Sequence, residues 1–340
     1  MVHVGIIGAL GYTGKEIIHY LSKHPVIKLH KLWDNAVDKK GERIDSIFPE
    51  FKNLLDLKVE HFNKKDLDSV DVVFLALPHT VSMRLAPDIL NKVNLLIDLS
   101  ADYRFKDYKS YQKWYKVEHL DKKSLKKAVY GLPEINRDQI KDANFIANPG
   151  CYPTSMILGL YPLVKEGLLD NAQVIVDSKT GASGAGRKAS VSSIFSELNG
   201  NLRPYKINEH QHMPEVVAFF KDEFKRNVDL SFVPQLIPVD RGIISMIYVT
   251  FKNKNKKDLY SLYKKYYSKE FFIRMSKKGE VTELKNVAYT NFCDLSYMNF
   301  INDNTFLIIS SIDNLGKGAA SQAVQNMNIA LGCDEKEGLA

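Results

Sequence analysis

The cysteine at position 151 has the sequence surroundings of an acyl-transfer nucleophile. Pro149 and Gly150 form a tight turn before it, and Pro153 follows where the first turn of a helix tolerates a missing N–H. The free amides and the dipole at such a helix start lower the pKa of a thiol and can hold the oxyanion of a tetrahedral intermediate. A thioester formed there accepts hydride more readily than a carboxylate does. We therefore predict that Cys151 is a nucleophile, although most free cysteines are small buried fillers.

Two histidines separated by one residue, His210 and His212, are the candidate acid/base groups. Imidazole titrates near neutral pH, so either ring could take the proton of the thiol and serve the later tetrahedral species. A His-x-His pair also occurs in metal sites, but no further ligands stand at a sensible spacing, so we expect no metal. The sequence leaves open which of the two histidines acts.

A glycine-rich loop near the start of the chain predicts dinucleotide binding. Gly8, Gly11 and Gly14 form a G-x-x-G-x-x-G pattern between an apolar strand-like run and a helical stretch. Glycines let the backbone turn sharply and approach a pyrophosphate, while the helix start supplies amides. Thr13 could add a hydroxyl to a phosphate oxygen. Tight turns need glycine in any case, so the prediction depends on the strand and helix context.

The residues after the second predicted strand bear on which dinucleotide binds. Asp34 stands about 20 positions after the glycines, where an acidic residue grips the ribose 2′-hydroxyl of NAD. Lys39 and Lys40 follow it and could instead contact the 2′-phosphate of NADP. The residues alone permit both interpretations.

Cations elsewhere in the chain are candidates for binding an anionic substrate. Residues 178–188 (SKTGASGAGRK) form a glycine-rich loop that ends in two cations and could close over an anion. Arg104 and Arg241 could each grip a carboxylate or a phosphate through two hydrogen bonds. The alternatives are a flexible surface loop and structural ion pairs.

The elements that must position these residues divide the chain in two. Apolar runs alternate with helical stretches up to residue 147, which predicts a doubly wound α/β domain of Rossmann type. After Cys151 a helix over 153–166 precedes strand-like runs that predict a mixed or antiparallel sheet in an α+β domain. A last helix over 318–331 could pack back on the first domain, and residues 256–270 predict an amphipathic helix. The predicted strands are 2–7, 26–33, 70–77, 94–99, 144–147, 173–178, 230–239, 243–251, 280–288 and 305–312.

Length and composition agree with a two-domain enzyme and exclude other classes. At 340 residues the chain exceeds what one core usually organises. The net charge is +7, but the lysines are scattered, so we expect steering of small anions and no nucleic acid. An RNA-associated protein, the alternative, would show steeply salt-dependent binding. The three cysteines suggest no disulfide framework. No apolar run reaches the roughly 18 residues of a membrane span, and the chain enters a strand directly. We therefore expect a cytoplasmic protein.

With these residues assembled, the chain closely resembles the N-acetyl-gamma-glutamyl-phosphate reductase family, the arginine-biosynthesis branch of the semialdehyde dehydrogenase group. The resemblance runs nearly end to end and keeps the motifs in family order. The motifs are GALGYTG at 8–14, LALPH at 75–79, IDLSADYRF at 97–105, YGLPE at 130–134, ANPGCYPT at 147–154, SKTGASGAGRK at 178–188, HQHMPE at 210–215, PVDRGI at 238–243 and IDNLGKGAASQAVQNMN at 312–328.

The resemblance implies an NADPH-dependent reduction of N-acetyl-glutamyl phosphate to the semialdehyde, with Cys151 as the nucleophile and a histidine of the 210–212 pair as acid/base. It implies an NADP-binding Rossmann domain over 1–150 and 316–340, a catalytic and oligomerisation domain over 151–315, and a homodimer or homotetramer. The expected cofactor-binding residues are Gly8, Gly11, Tyr12, Thr13, Gly14, Ser183, Asn314, Gly316 and Lys317. The expected substrate-binding residues are Asn148, Arg104, Arg187 and Arg241.

Two positions depart from the family's pattern. Asp34 and Asn35 stand where the family usually has Ser or Arg, and Gln211 stands between the histidines where Arg is usual. Two other functions stay open beside the expected one. The substrate could be a related acyl phosphate, such as an aminoadipyl or aspartyl phosphate, or the chain could be a non-catalytic dinucleotide sensor.

Overall fold

The computed structural model describes residues 1–188, 190–254 and 257–339, and these residues form two compact units. Of the described residues, those in 1–149 and 319–339 form unit 1, and those in 150–318 form unit 2. Gly150 and residues 316–318, which the sequence assigned to the first domain, lie in unit 2. Lys256, at the start of the predicted amphipathic helix, and Ala340, at the end of the predicted first domain, lie outside the described residues.

Unit 1 is a doubly wound α/β domain built on an eight-stranded sheet. The strand order is β3-β4-β2-β1-β5-β6-β8-β7, and every neighbouring pair is parallel except β3 with β4. Its elements are β1 (Val2–Ile7), α1 (Tyr12–Leu21), β2 (Ile27–Trp33), β3 (Glu42–Arg43), α2 (Ile44–Ile47), β4 (Lys58–Glu60), β5 (Val72–Leu75), α3 (Ser82–Leu90), β6 (Leu95–Asp98), α4 (Tyr108–Tyr115), β7 (Val129–Tyr130), α5 (Pro133–Lys141), β8 (Phe145–Ala147) and the C-terminal α10 (Ala320–Ala330).

Both faces of this sheet are covered, which explains the continuous apolar runs of its strands. In β5, Val72 and Phe74 pack into one core with residues of α1 and α10. Val73 and Leu75 pack into a second core with residues of α3. The chain therefore returns from unit 2 to complete the cover of this sheet with α10.

Unit 2 is built on a seven-stranded mixed sheet of order β10-β11-β9-β12-β15-β14-β13. The pairs β11 with β9 and β13 with β14 are parallel, and the others are antiparallel. Its elements are α6 (Cys151–Lys165), β9 (Ala172–Thr180), α7 (Phe195–Leu198), β10 (Arg203–Pro204), α8 (His212–Phe224), β11 (Asp229–Leu236), β12 (Ile243–Phe251), α9 (Leu259–Tyr267), β13 (Ile273–Met275), β14 (Cys293–Phe300) and β15 (Thr305–Ile312).

The helix α6 packs on this sheet and fixes the position of its own first residue. A side-chain carbon added at Gly159 would lie 2.4 Å from Cδ1 of Ile247 on β12, so the helix and the sheet are in close contact there. Tyr267 of α9 donates a hydrogen bond of 2.6 Å to the carbonyl oxygen of Leu158. The start of α6, where Cys151 lies, is therefore held by packing along the rest of the helix.

One strand prediction is wrong. Residues 280–288 were expected to form a strand, but the structure has a short 3-10 turn at Leu284–Asn286 within that stretch. The sheet continues instead with β14, which the sequence analysis missed, and its edge position is filled by the short β13. Val281, Thr282 and Val287 gave the stretch a strand-like composition, which does not decide which segment pairs with β14.

Candidate active site

The glycine loop of unit 1 forms a cradle in front of a helix start. Gly8 has φ +89°, and a side-chain carbon there would lie 2.3 Å from the carbonyl oxygen of Ala76, so the fold itself requires glycine. Gly11 is the N-cap of α1 and has an ordinary extended backbone, and an added side-chain carbon would meet nothing closer than 3.6 Å. Since the fold does not require glycine at this position, the space it leaves fits the close approach of a pyrophosphate to the first-turn amides.

The other residues expected at this loop surround the same helix start. Tyr12 and Thr13 open the first turn of α1, and Gly14 is buried against the loop. Asp34, directly after β2, is bonded to the loop: one carboxylate oxygen accepts the N–H of Leu10 at 3.1 Å and the other that of Ala36 at 3.0 Å. Asp34 therefore has a structural task in the loop whichever dinucleotide binds.

Cys151 is the first residue of α6, as its sequence surroundings predicted. The N-cap is Gly150 (φ −68°, ψ 154°), and no side chain caps the helix start. Cys151 is a partly exposed free thiol, whereas Cys293 is buried. Burial raises the pKa of the Cys333 thiol, which also lies beside Glu337. Among the three thiols, Cys151 is thus the one that lies at helix amides without a side-chain cap.

A buried carboxylate anchors this helix start. Glu215, in the first turn of α8, is fully buried, and its Oε1 accepts the N–H of Gly150 at 2.9 Å. The bond joins α8 to the residue immediately before Cys151. The sequence analysis quoted Glu215 within the histidine motif but gave it no task. Its position three residues into a helix that begins at His212 was the signal that could have found it.

The two histidines and Cys151 line one cavity in unit 2, of about 370 Å³. Residues distant in the chain are brought together here because α8, which begins at His212, packs against α6. The centroids of the two imidazole rings lie 4.8 Å apart. Nδ1 of His210 accepts the backbone N–H of His212 at 3.1 Å. A thiol and two imidazoles in one cavity are the groups that thioester chemistry needs: a nucleophile and an acceptor for its proton.

Two tyrosines in the same cavity add neutral hydroxyl groups. The hydroxyls of Tyr152 and Tyr205 lie 3.0 Å apart and share a hydrogen bond. Burial raises the pKa of Tyr205 to about 12 and raises the pKa of Tyr152 further. Both are therefore protonated at neutral pH. The ring of Tyr152 also meets those of His210 and His212 edge-on, at 5.3 and 5.9 Å between centroids, which holds the imidazoles in place.

The expected cofactor residues of the second half of the chain all lie in unit 2, and two of them are hydrogen-bonded to each other. Asn314 donates from Nδ2 to the hydroxyl of Ser183 at 3.0 Å and accepts the N–H of Gly242 at 2.7 Å. Gly316 donates its N–H to Asp313 at 3.0 Å. Lys317 is fully buried, with its ammonium 5.8 Å from the ring centroid of Phe272.

The residues expected to bind substrate are dispersed over both units, and most of them form hydrogen bonds or ion pairs within the protein. Asn148, fully buried in unit 1, binds the carbonyl of Ala319 and the side chain of Asn326. Arg104 donates to the backbone carbonyls of Asn148 and Leu99 at 2.8 and 2.7 Å.

In unit 2, Arg241 is buried in an ion pair with Asp313, with 3.0 Å between Nε and Oδ2. Neither Arg241 nor the exposed Arg187 is among the described residues that line the cavity of Cys151.

Two other cations line that cavity, and the sequence analysis missed both. They are Arg203 on β10 and Lys206 in the turn that follows. Both stand between the glycine-rich loop and the histidine motif, in a segment without a recognisable pattern. Only the pairing of β10 with β11 brings them to the cavity.

Comparisons with known proteins agree with both units. Residues 3–143 match the NAD-binding domain of semialdehyde dehydrogenase, and residues 151–314 match its dimerisation domain. The chain is 42% identical to N-acetyl-gamma-glutamyl-phosphate reductase of Desulforudis audaxviator and 39% identical to that of Alkaliphilus metalliredigens; each alignment covers 100% of this chain and 98% of the relative. The chain belongs to the N-acetyl-gamma-glutamyl-phosphate reductase family.

Solved structures share the fold at much lower identity. Aspartate semialdehyde dehydrogenase II of Vibrio cholerae, complexed with ASA, has a TM-score of 0.74 at 18% identity over 98% of each chain. Aspartate semialdehyde dehydrogenase of Candida albicans, with NADP, has a TM-score of 0.68 at 15% identity over 97% of this chain and 98% of that one.

These matches confirm several predictions from the sequence: the family, a Rossmann-type α/β domain with a second, α+β domain, and an oxidoreductase. They also confirm that the cofactor is a nicotinamide dinucleotide. Within the described ranges of the chain, no helix is long and apolar enough to cross a bilayer. Nor do the described residues contain a cluster of three or more side chains suited to hold a metal ion.

Proposed function

We propose that this chain is an NADPH-dependent reductase that converts N-acetyl-glutamyl 5-phosphate into N-acetyl-glutamate 5-semialdehyde and inorganic phosphate, in arginine biosynthesis. The observation that carries the proposal is the cavity that Cys151, at the start of α6, lines together with His210 and His212. The names of the full-length relatives support this choice of substrate. A thiolate can displace phosphate from an acyl phosphate and form a thioester, which then accepts a hydride.

In the first half-reaction the thiolate of Cys151 attacks the acyl carbon and forms a C–S bond. The tetrahedral oxyanion is stabilised by first-turn amides of α6, which no side chain caps. The C–O bond to the phosphate then breaks, its electron pair stays with the phosphate oxygen, and inorganic phosphate leaves. A thioester remains on Cys151.

We assign the removal of the thiol proton to His212. Because Nδ1 of His210 accepts the N–H of His212, neutral His210 carries its own proton on Nε2 and is a hydrogen-bond donor at that atom. His212 is not restricted to that tautomer by this bond and can accept a proton. His210 then serves to hold the start of α8 and to donate a hydrogen bond.

In the second half-reaction the thioester is reduced. When bound, the reduced nicotinamide supplies the hydride for the carbonyl carbon. The resulting thiohemiacetal oxyanion on Cys151 is again stabilised by the amides of α6. It collapses by breaking the C–S bond, the electron pair returns to sulfur, and the aldehyde leaves. Protonated His212 stabilises the regenerated thiolate.

We propose NADPH as the reductant, bound by the Rossmann domain over 1–150 and 316–340, with catalysis and oligomer contacts in 151–315. The N–H groups of Leu10 and Ala36 donate hydrogen bonds to Asp34, and these bonds explain the carboxylate at this position without a bound NAD. Lys39 and Lys40 are exposed and can meet a 2′-phosphate. We also propose a homodimer or homotetramer in the cytoplasm, where a free nucleophilic thiol stays reduced.

Initial rates with candidate substrates and both reductants test the proposal. We expect kcat/KM for N-acetyl-glutamyl phosphate with NADPH to exceed by at least about 100-fold the values for aspartyl or carrier-linked aminoadipyl phosphate. A faster rate with either alternative would reassign the substrate. Dinucleotide binding without turnover of any of the three would identify a sensor.

A further inference from the structure

The cavity of Cys151 carries a positive charge that the reaction scheme above leaves unused. Arg203 and Lys206 line it together with the nucleophile and the histidines. Among the described residues that line the cavity, these two carry the permanent positive charges, and no carboxylate accompanies them. Neither side chain forms an ion pair with any residue that the structure describes. Their charges are therefore available to an anion from outside the protein.

The backbone around Lys206 is held in a conformation that few residues adopt. Lys206 has φ +45° and Asn208 has φ +54°. Such conformations cost of the order of 1 kcal/mol or more each and persist only where the surroundings enforce them. For Asn208, two residues further on, β11 supplies this support: Phe232 donates its N–H to Oδ1 of Asn208 at 2.7 Å, and its carbonyl accepts the N–H of Asn208 at 3.0 Å.

The side chain of Lys206 is oriented as well. Its ammonium donates to Oε1 of Gln211 at 3.2 Å. The amide of Gln211 is neutral, so this bond fixes the ammonium without cancelling its charge and leaves two of its three N–H donors available. Gln211 stands between the histidines, where the family resemblance led us to expect arginine. In this chain the side chain at 211 positions a cation instead of supplying one.

The sheet fixes the backbone of Arg203. Its backbone pairs with Leu236 of β11, and Leu236 itself lines the cavity. A guanidinium and an ammonium that line one cavity can together bind two or three oxygens of a carboxylate or a phosphate.

We propose that Arg203 and Lys206, with Lys206 oriented by Gln211, form the site that binds an anionic group of the acyl-phosphate substrate next to Cys151. The inference rests on the proposed function, because it concerns the substrate of that same cavity. The shared chemistry is an anionic oxygen cluster, which belongs either to the phosphate or to the carboxylate at the other end of the substrate.

The test compares Lys206→Met and Arg203→Met with Lys221→Met, an exposed lysine on α8 as the matched control. Loss of a charge-assisted hydrogen bond should raise KM for the acyl phosphate about 10- to 100-fold in each cavity variant, with kcat changed less than about threefold. Lys221→Met should leave both constants unchanged. In the Lys206→Met background, Gln211→Arg should restore at least part of the affinity.

The reverse reaction distinguishes the two sources of the anion. A raised KM for inorganic phosphate alone assigns the site to the phosphate, and a raised KM for the semialdehyde alone assigns it to the carboxylate. If both values in Lys206→Met and Arg203→Met equal those of the unchanged enzyme, the proposal is overturned.

A readout without turnover separates this inference from the proposed function. N-acetylglutamate or inorganic phosphate should slow the alkylation of Cys151 by iodoacetamide in the unchanged protein and protect it at least tenfold less well in Lys206→Met. That result would support the anion site even if a different acyl phosphate proved to be the substrate. Equal protection in both proteins would overturn the anion site and leave the catalytic proposal intact.

Discussion

Two helices of this molecule, α1 in unit 1 and α6 in unit 2, begin with nearly the same backbone. Their N-caps are Gly11 (φ −70°, ψ 161°) and Gly150 (φ −68°, ψ 154°), and neither helix start is capped by a side chain. They differ in what holds the cap. The N–H of Gly11 is directed to the carbonyl of Gly8 within its own loop, at 3.3 Å, whereas the N–H of Gly150 is bonded to the distant carboxylate of Glu215.

Under the proposed function, the same backbone arrangement serves two kinds of anion. The helix α1 presents its amides beside an open space and fits an anion that arrives from solution. In the proposed function the anion at α6 is the thiolate of Cys151, which belongs to the helix itself, and Glu215 of α8 fixes the cap. A diffusible ligand can adjust to its site, but a nucleophile attached to the helix must already be positioned before substrate binds.

Removing the thiol should affect the start of α6 and leave that of α1 intact. We expect Cys151→Ala to reduce turnover by at least about 10⁴-fold, because no other group on the helix can form the thioester. The dissociation constant of NADPH, measured by fluorescence titration, should change less than twofold. Activity that survives the substitution would show that α6 does not carry the nucleophile.

The next largest effect should distinguish the two histidines. We expect His212→Asn to lower kcat by about 10² to 10⁴-fold, the usual contribution of a general base, and His210→Asn to lower it by only about tenfold. A larger loss in His210→Asn would reverse the assignment made from the hydrogen bond between the two residues.

Filling the space beside Gly11 should weaken dinucleotide binding and leave Cys151 unaffected, the reverse of the effect of Cys151→Ala. We expect Gly11→Val to weaken NADPH binding by at least about tenfold, since its side chain would occupy the cradle in front of α1. The extended backbone at Gly11 accepts valine, so the thermal midpoint should fall by only a few degrees, the effect of a poorer N-cap residue. The rate of iodoacetamide alkylation of Cys151 should also stay the same. Unchanged affinity for NADPH would mean that the cradle does not hold the pyrophosphate.

The smallest effect of the series should come from Glu215→Gln, which alters the acceptor that anchors Gly150. Glu215→Gln keeps an oxygen that can accept the N–H, so we expect kcat to fall less than about fivefold. Glu215→Ala leaves a buried N–H without its acceptor, and we expect a fall of about 5- to 100-fold. NADPH affinity should be the same in both variants. If Gln and Ala give equal activities, the bond to Gly150 does not position Cys151.

Features coded by neighbouring residues were predictable from the sequence, and features that depend on strand pairing were not. The turn before Cys151 and the glycine loop each lie within a few consecutive residues, so the sequence alone predicted their local structure. Arg203 and Lys206 reach the cavity only because β10 pairs with the far end of β11. The same kind of long-range choice explains the wrong strand at 280–288: the register of β14 against its neighbours is set by the whole sheet.

The central claim is that the acyl group is carried by Cys151, and trapping it is the most direct measurement. The protein would be mixed with N-acetyl-glutamyl phosphate without any dinucleotide, quenched in acid, digested and analysed by mass spectrometry. We predict one acyl group per chain on the peptide that contains Cys151, released together with one equivalent of phosphate, and none in Cys151→Ala. An adduct on another residue, or phosphate release without any adduct, would contradict the account.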